Sequence, residues 1–315
     1  MKKRKVYQDA VTHCYQRTVN GMLIFYTVSD YLLYLTIYCI TAVKYRIRIL
    51  KLVQMPDHIH ETVIELQAGH LSGFHRECHS RFAREYNKLC NRDGPLFEHH
   101  YGSATKFDDK RVRTNLLYLD NNPVERHLSK KAEEYRWNYL AYGNSPHPFS
   151  EKIVLRRASM SLRHALKEVK AIHAASRPLP YSTLQRFFRS LPDDREREQL
   201  IDYIVATYSV IDHQAAIRFF GSYEEELIAA HAASGSEYDV GEVFVGQSDD
   251  CYLKMIGILR RESRYKDDIH EIFALSPEEK RELYNLLRSA TSYPYRQIAK
   301  FLHLAVNDSG VVVFN

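Results

Sequence analysis

Apolar and polar positions change their period several times along the first 125 residues. Residues 11–28, VTHCYQRTVNGMLIFYTV, are rich in β-branched and aromatic side chains and break at Asn20-Gly21, which predicts a strand and then a turn. Ser29 or Asp30 then offers an N-cap for a helix from about Tyr31 to Lys44. Its uncharged stretch Tyr31–Val43 is shorter than the ~20 residues of a membrane span, which predicts a buried helix. Tyr45, Ile47 and Ile49 alternate with Arg46 and Arg48, so Tyr45–Met55 reads as a strand. Pro56-Asp57 marks a corner, and a further strand runs from His58 to about Leu66. Over residues 70–90, Phe74, Cys78, Phe82, Tyr86 and Leu89 share one helical face. Leu96–Phe107 predicts another strand. Asp108-Asp109 caps a helix of about 110–121, ended by Asn122-Pro123 because the residue before proline disfavours the α region.

The order strand, helix, strand, strand, helix, strand, helix predicts an α+β fold, a ferredoxin-like antiparallel sheet with helices on one face. Residues 133–148 hold the single tryptophan in an aromatic plug and a turn-rich linker. Beyond residue 151 the periodicity is mostly helical, which sets domains at 1–150 and 151–315. Gly235–Gly246 reads as a loop or hairpin. Residues 276–304 read as two helices, compatible with helix-turn-helix recognition of duplex DNA or with a plain packed pair.

Composition narrows the class. Of 315 residues, 45% are hydrophobic and 26% charged, as in an ordinary globular protein. The net charge of +5 permits nucleic-acid binding without requiring it. Positive charge gathers at Lys2, Lys3, Arg4 and Lys5, and again from Arg156-Arg157 to Arg163; such runs are commonly only solvated. The five cysteines fit no disulfide framework and predict reduced thiols in a cytoplasmic protein. No apolar stretch directly follows the basic N-terminal run, so a signal peptide is not expected.

The candidate chemistry sits in KLVQMPDHIHETVIEL, residues 51–66. On a strand His58 and His60 point to one face and Ile59 to the other. Two neutral imidazoles suit a divalent metal, and a third ligand must come from elsewhere. In NLLYLDNNPVERHL, residues 115–128, Tyr118 and Asn122 stand four apart on one helical face. The Asn122 carbonyl oxygen can ligate a hard cation, with Tyr118 beside it. The plain alternatives are a satisfied histidine pair and a core tyrosine, one of 23.

These two segments resemble a known family. Met55-Pro56-Asp57-His58-Ile59-His60 is similar to the histidine-hydrophobic-histidine signature of HUH single-tyrosine transposases. Tyr118-Leu119-Asp120-Asn121-Asn122-Pro123-Val124 resembles that family's tyrosine helix, above all in its REP-associated branch. The resemblance extends through His13-Cys14-Tyr15-Gln16-Arg17 and the aspartate at Asp30, covering about residues 10–145. It implies an HUH nuclease domain acting on single-stranded or hairpin DNA. It implies Mg²⁺ or Mn²⁺ on His58, His60 and Asn122. Tyr118 would be the nucleophile that leaves a 5′-phosphotyrosine, and Arg17 with the N-terminal basic run would contact DNA. Members act as monomers or as homodimers. This chain departs from the pattern at Glu61, where an apolar residue is usual, at Asp57, where asparagine is commoner, and in its long C-terminal half. Glu61 should face away from the metal unless the strand bulges.

The leading expectation is therefore a transposase that cleaves and rejoins DNA. One alternative is a domesticated, non-cleaving DNA-binding protein on the same scaffold. Another is a metal-dependent hydrolase that uses water as nucleophile.

Overall fold

Strand β1 (Val11–Arg17) lies inside a four-stranded antiparallel sheet ordered β2-β3-β1-β4, with β2 at Ile47–Met55, β3 at His58–Glu65 and β4 at Gly102–Lys106. The computed structural model describes residues 7–98, 100–233, 248–262, 264–265, 268–307 and 309–314. Lys2, Lys3, Arg4, Lys5 and the loop expected at Gly235–Gly246 lie outside the described residues. Helices α1 (Val28–Lys44), α2 (His70–Leu89) and α3 (Asp109–Glu125) follow β1, β3 and β4 in turn, which is the predicted order. The fold is α+β, and helices dominate the rest of the chain.

The pleat of β3 shows how the layers are arranged. Glu61 meets Tyr38 of α1 and His75 of α2. Its neighbour Thr62 donates to Asn115 Oδ1 of α3 at 2.8 Å. Adjacent strand residues face opposite ways, so α1 and α2 cover one face and α3 the other. The helices are thus divided between the faces instead of lying on one. The alternation within the strands is satisfied by either arrangement, because both faces are covered.

Several boundaries differ from expectation for local reasons. The α1 N-cap is Thr27, in a capping box with Asp30 at N3, and not Ser29 or Asp30. Helix α3 continues through Pro123 to Glu125. Proline forfeits the bond to the Leu119 carbonyl, yet Arg126 N–H still bonds Asn122 O (3.1 Å), and residues 118–123 are all buried. The predicted strand 96–107 pairs continuously only from Gly102, since Leu96, Phe97 and Tyr101 turn into the core. Gly102 passes under the Tyr15 ring, where a Cβ would lie 2.1 Å from Cζ.

Helix α1 is apolar nearly all round because it is enclosed. One hydrophobic core runs from the sheet through α1 into α4 (Met160–Ala174), α5 (Tyr181–Ser190) and α6 (Asp194–Tyr208), with no break at residue 150. The aromatic plug belongs to this core: Trp137 stacks on Tyr31 at 4.3 Å, and Tyr135 donates to Gln54 O at 2.8 Å. After α7 (His213–Ile217), α8 (Tyr223–Ala233) lies against α3. A second core joins Leu23 and Tyr26 to α9 (Asp250–Leu259), α10 (Pro277–Ala290) and α11 (Tyr295–Phe301). In the expected helix-turn-helix segment, α11 has seven residues and buries Gln297, Ile298, Ala299 and Phe301 against that core. No helix among the described residues is long and apolar enough to cross a membrane. The five cysteines are buried, and no disulfide joins them among the described residues.

His270 joins the second core to α1, with Nε2 3.0 Å from Asp30 Oδ1 and Nδ1 3.0 Å from Asp268 Oδ1. Burial alone would lower its pKa, but the two carboxylates reverse that and raise it to about 9. A raised folded pKa gives stability that is complete below the unfolded value of about 6.5 and is lost as pH rises through 9. Denaturant unfolding should therefore show about 3 kcal/mol less stability at pH 9.5 than at pH 6 from this group. His270→Gln should flatten that part of the profile. An unchanged profile in the variant would remove His270 from the account.

Candidate active site

Three side chains singled out in the sequence, His58, His60 and Tyr118, meet on the α3 face of the sheet. His58 and His60 leave β3 two residues apart, with ring centroids 4.9 Å apart and planes nearly perpendicular. Tyr118, projecting from α3, sets its ring edge-on to His60 at 5.5 Å. Asn122 follows one turn later, and its Oδ1 is buried with no hydrogen-bond partner among the described residues. Arg17 pairs across from His58 in the β1–β3 ladder, and its guanidinium lies over the Tyr15 ring at 5.3 Å. It sits exposed at the end of the same sheet face.

Each histidine is oriented by a neighbour. Asp57 Oδ1 lies 2.5 Å from His58 Nδ1. His13 Nε2 lies 3.2 Å from His60 Nδ1. In both rings Nε2 is then the nitrogen on the side away from the support, the arrangement that second-shell partners give metal-bound histidine. Burial, helped by the nearby His58, His13 and arginine charges, pushes the His60 pKa well below the ordinary value. Burial and Lys106 push His13 down to about 3. Both rings are therefore neutral at pH 7, and His60 is in the state a metal requires. Burial opposes ionisation of Asp57, but the His58 imidazole outweighs it and holds the carboxyl below its usual range.

Two imidazoles and a buried amide oxygen form a donor set that would fit a divalent cation. His60, Tyr118 and Asn122 are each at most 1% exposed. Sequence reasoning did not anticipate that burial, because it depends on what the distant parts of the chain place over the sheet. His13 was also missed as a supporting residue. Its signal was its position on the neighbouring strand, on the face that carries the histidine pair.

Glu61 behaves as the alternation predicts. It faces away from this site, and the register irregularity lies in β2 between Ile49 and Lys51, not in β3. Burial raises its carboxyl to about 8, so at neutral pH it is mostly protonated between Tyr38 and His75. Cys14 completes a buried group there with ligand atoms within 4.8 Å of one another. Both Glu61 oxygens have protein partners behind the sheet.

Helix α3 is held in place by a buried cluster. Lys51 Nζ of β2 lies 2.5 Å from Asp120 Oδ1 and 2.8 Å from Glu226 Oε1 of α8. Asn121 Nδ2 donates to Ala230 O at 2.7 Å. One ammonium shared between two carboxylates leaves burial dominant at Asp120, whose carboxyl rises to about 7. Elsewhere, Arg156, Arg163, Lys167 and Lys170 line a groove of about 760 Å³ beside α4.

No family model matches the chain, and no curated protein matches it. Among solved structures, it is similar to a REP-associated tyrosine transposase bound to a REP hairpin. The two are 16% identical, with a TM-score of 0.38, over 44% of this chain and 81% of the other.

Lys51→Met should cost about 3–5 kcal/mol, because it leaves two buried carboxylates uncompensated. Denaturant unfolding would measure this. A loss under about 1 kcal/mol would mean that packing alone, and not the ammonium, fixes α3.

Proposed function

We propose that this protein is a DNA-cleaving and rejoining enzyme of the HUH single-tyrosine kind, acting on single-stranded or hairpin DNA. The observation that carries the proposal is the meeting of Tyr118, His60 and His58 on one sheet face, with Asn122 buried one turn further along α3 and Asp57 and His13 behind the histidine pair. Mg²⁺ or Mn²⁺ would be held by His58, His60 and Asn122. When bound, it would supply charge neutralisation at a phosphodiester and favour departure of the leaving oxygen.

The chain's own groups account for the remaining chemistry. The Tyr118 phenol, ordinarily titrating near 10, loses its proton as its oxygen bonds to phosphorus. The bond from phosphorus to the 3′-oxygen breaks, and that oxygen takes up a proton. The products are a 5′-phosphotyrosine and a free 3′-hydroxyl, and the reverse step rejoins the strand. His13 and Asp57 orient the two imidazoles and keep His60 from turning. Arg17, at the end of the sheet face, and the basic groove beside α4 would contact the DNA backbone.

The full set of reactive side chains favours this over a non-cleaving DNA-binding protein, which needs neither Tyr118 nor the histidines. A hydrolase that uses water would not need a tyrosine packed against His60. Full-length protein with hairpin oligonucleotides from the DNA flanking its own gene, plus Mn²⁺ or Mg²⁺, should give a covalent adduct on a denaturing gel. Tyr118→Phe should abolish the adduct. His58→Ala and His60→Ala should reduce it at least about 100-fold, as should EDTA. Cleavage without an adduct would point to the hydrolase. Tight binding without cleavage, unchanged in Tyr118→Phe, would point to the non-cleaving protein.

A further inference from the structure

The C-terminal part of the chain brings two charged side chains up to the elements that carry the site, Asp249 against Arg126 at the end of α3 and Lys300 against Gly21. Asp249 precedes α9 at the position where aspartate ordinarily caps a helix, yet its side chain makes no cap hydrogen bond. Its backbone N–H donates to Arg126 O at 2.9 Å, and its Oδ1 lies 4.0 Å from Arg126 Nη1. The residue is 3% exposed, and Oδ2 has no hydrogen-bond partner among the described residues. A carboxylate buried in this way gives up hydration without replacing it.

One cation meets that carboxylate, and a second reaches the turn that is tied to Asp57. Arg126 caps the C-terminal end of α3, four residues after Asn122 and eight after Tyr118, so the three follow one line along the helix. Lys300 comes from α11. Its side chain crosses Gly21, where a Cβ would lie 2.9 Å from Nζ, and Gly21 has a φ of +64°. The Thr18 side chain at the start of that turn donates to Asp57 O at 3.0 Å. Gln297 of the same helix donates to Ser248 O at 3.2 Å and ties α11 to the segment that carries Asp249. Burial, and then the Asp57 charge, push the Asp249 carboxyl up to about 7, with the nearby Arg126 and Lys300 charges opposing them. Asp57 already has His58 as its close partner. Asp249 has none at hydrogen-bond distance through its Oδ2.

We infer that Arg126 and Lys300 form a clamp for a DNA phosphate at the active site, and that the Asp249 carboxylate occupies the phosphate position when DNA is absent. The inference rests on the proposed nuclease reading. An ionised carboxylate and a phosphodiester each bring one negative charge and acceptor oxygens, so a phosphate can replace the Asp249 side chain beside the same cations. On this account α9 and α11 complete the active site, with Lys300 as the residue that residues 276–304 contribute. Asp249 then competes with DNA.

The test is fluorescence-anisotropy binding of a labelled single-stranded hairpin oligonucleotide from the gene's own flank. It uses full-length protein carrying Tyr118→Phe, with Mg²⁺, over a salt series. Lys300→Gln and Arg126→Gln should each weaken binding about 10-fold and reduce the slope of log K against log salt by about 0.7. Lys300→Arg should retain binding. Asp249→Asn should tighten binding about 10-fold. A merely structural Arg126–Asp249 contact predicts the opposite sign: lower melting temperature and weaker or unchanged binding in Asp249→Asn. If Lys300→Gln fails to fold, the sign of the Asp249→Asn effect alone decides. An adduct on the otherwise wild-type chain, with Asp249→Asn and Lys300→Gln binding as the parent does, would overturn the clamp and leave the nuclease reading standing. Failure of the parent protein to bind any flanking hairpin, together with failure of the chain that keeps Tyr118 to form an adduct, would overturn both.

Discussion

The arrangement depends on one buried carboxylate. Asp30 is fully enclosed, and its Oδ2 accepts from the Tyr26 and Thr27 backbone N–H groups and from the Thr27 hydroxyl. Its Oδ1 takes the Tyr181 hydroxyl and His270. Ionised acceptors make the stronger hydrogen bonds, and these five donors come from the start of α1, from α5 and from the turn before α10. A single side chain thus fixes the entry of the helix behind the sheet, the first helix of the shared core that lies against α1, and the segment leading to α11. An uncompensated charge at this depth would be prohibitive. The donors are therefore as obligatory as the carboxylate, and separated parts of the chain must meet for any of them to be satisfied.

That requirement explains what could be read from the sequence and what could not. The period-two pattern around His58-Ile59-His60 and the helical spacing of Tyr118 and Asn122 are local properties, and they place the site-bearing side chains correctly. The histidine pair and Glu61 also separate onto opposite faces as alternation demands. Which helix covers which face is a tertiary choice. The strands have polar groups on both sides, Thr62 and Lys51 on one and Glu61 and Gln54 on the other, so no apolar face marks the core. Asp30 could be recognised near the start of α1, but not as the residue that ties the helix to Tyr181 and His270, because those partners are 151 and 240 positions away. Pro123 misled for the opposite reason: a strong local rule gave way to the burial of Asn121, Asn122 and Pro123 against the sheet and α8.

Burial of the reactive groups has its own consequence. Away from water, each charge at the site interacts more strongly with its neighbours, and each missing partner costs more. Neutral imidazoles are the form that burial favours, and burial pushes the His60 pKa well below the ordinary value. On the proposed nuclease reading the same depth works against an anionic strand, because Tyr118 is 0% exposed. The two demands can be met only if part of the cover belongs to an element that can yield. The sheet and α3 are poor candidates, being joined by Lys51, Asp120 and Glu226 as well as by Thr62 and Asn115. The segment at Asp249 is a better one. It is held to α3 by a backbone hydrogen bond and a 4.0 Å ion pair, and its carboxylate keeps one oxygen without a hydrogen bond among the described residues. Contacts of that kind are easily exchanged for those of a phosphate, whereas the buried cluster beneath α3 is not. Buried polar clusters thus set the positions of Tyr118 and the histidines, while the Asp249 segment meets α3 through one backbone hydrogen bond and a 4.0 Å ion pair.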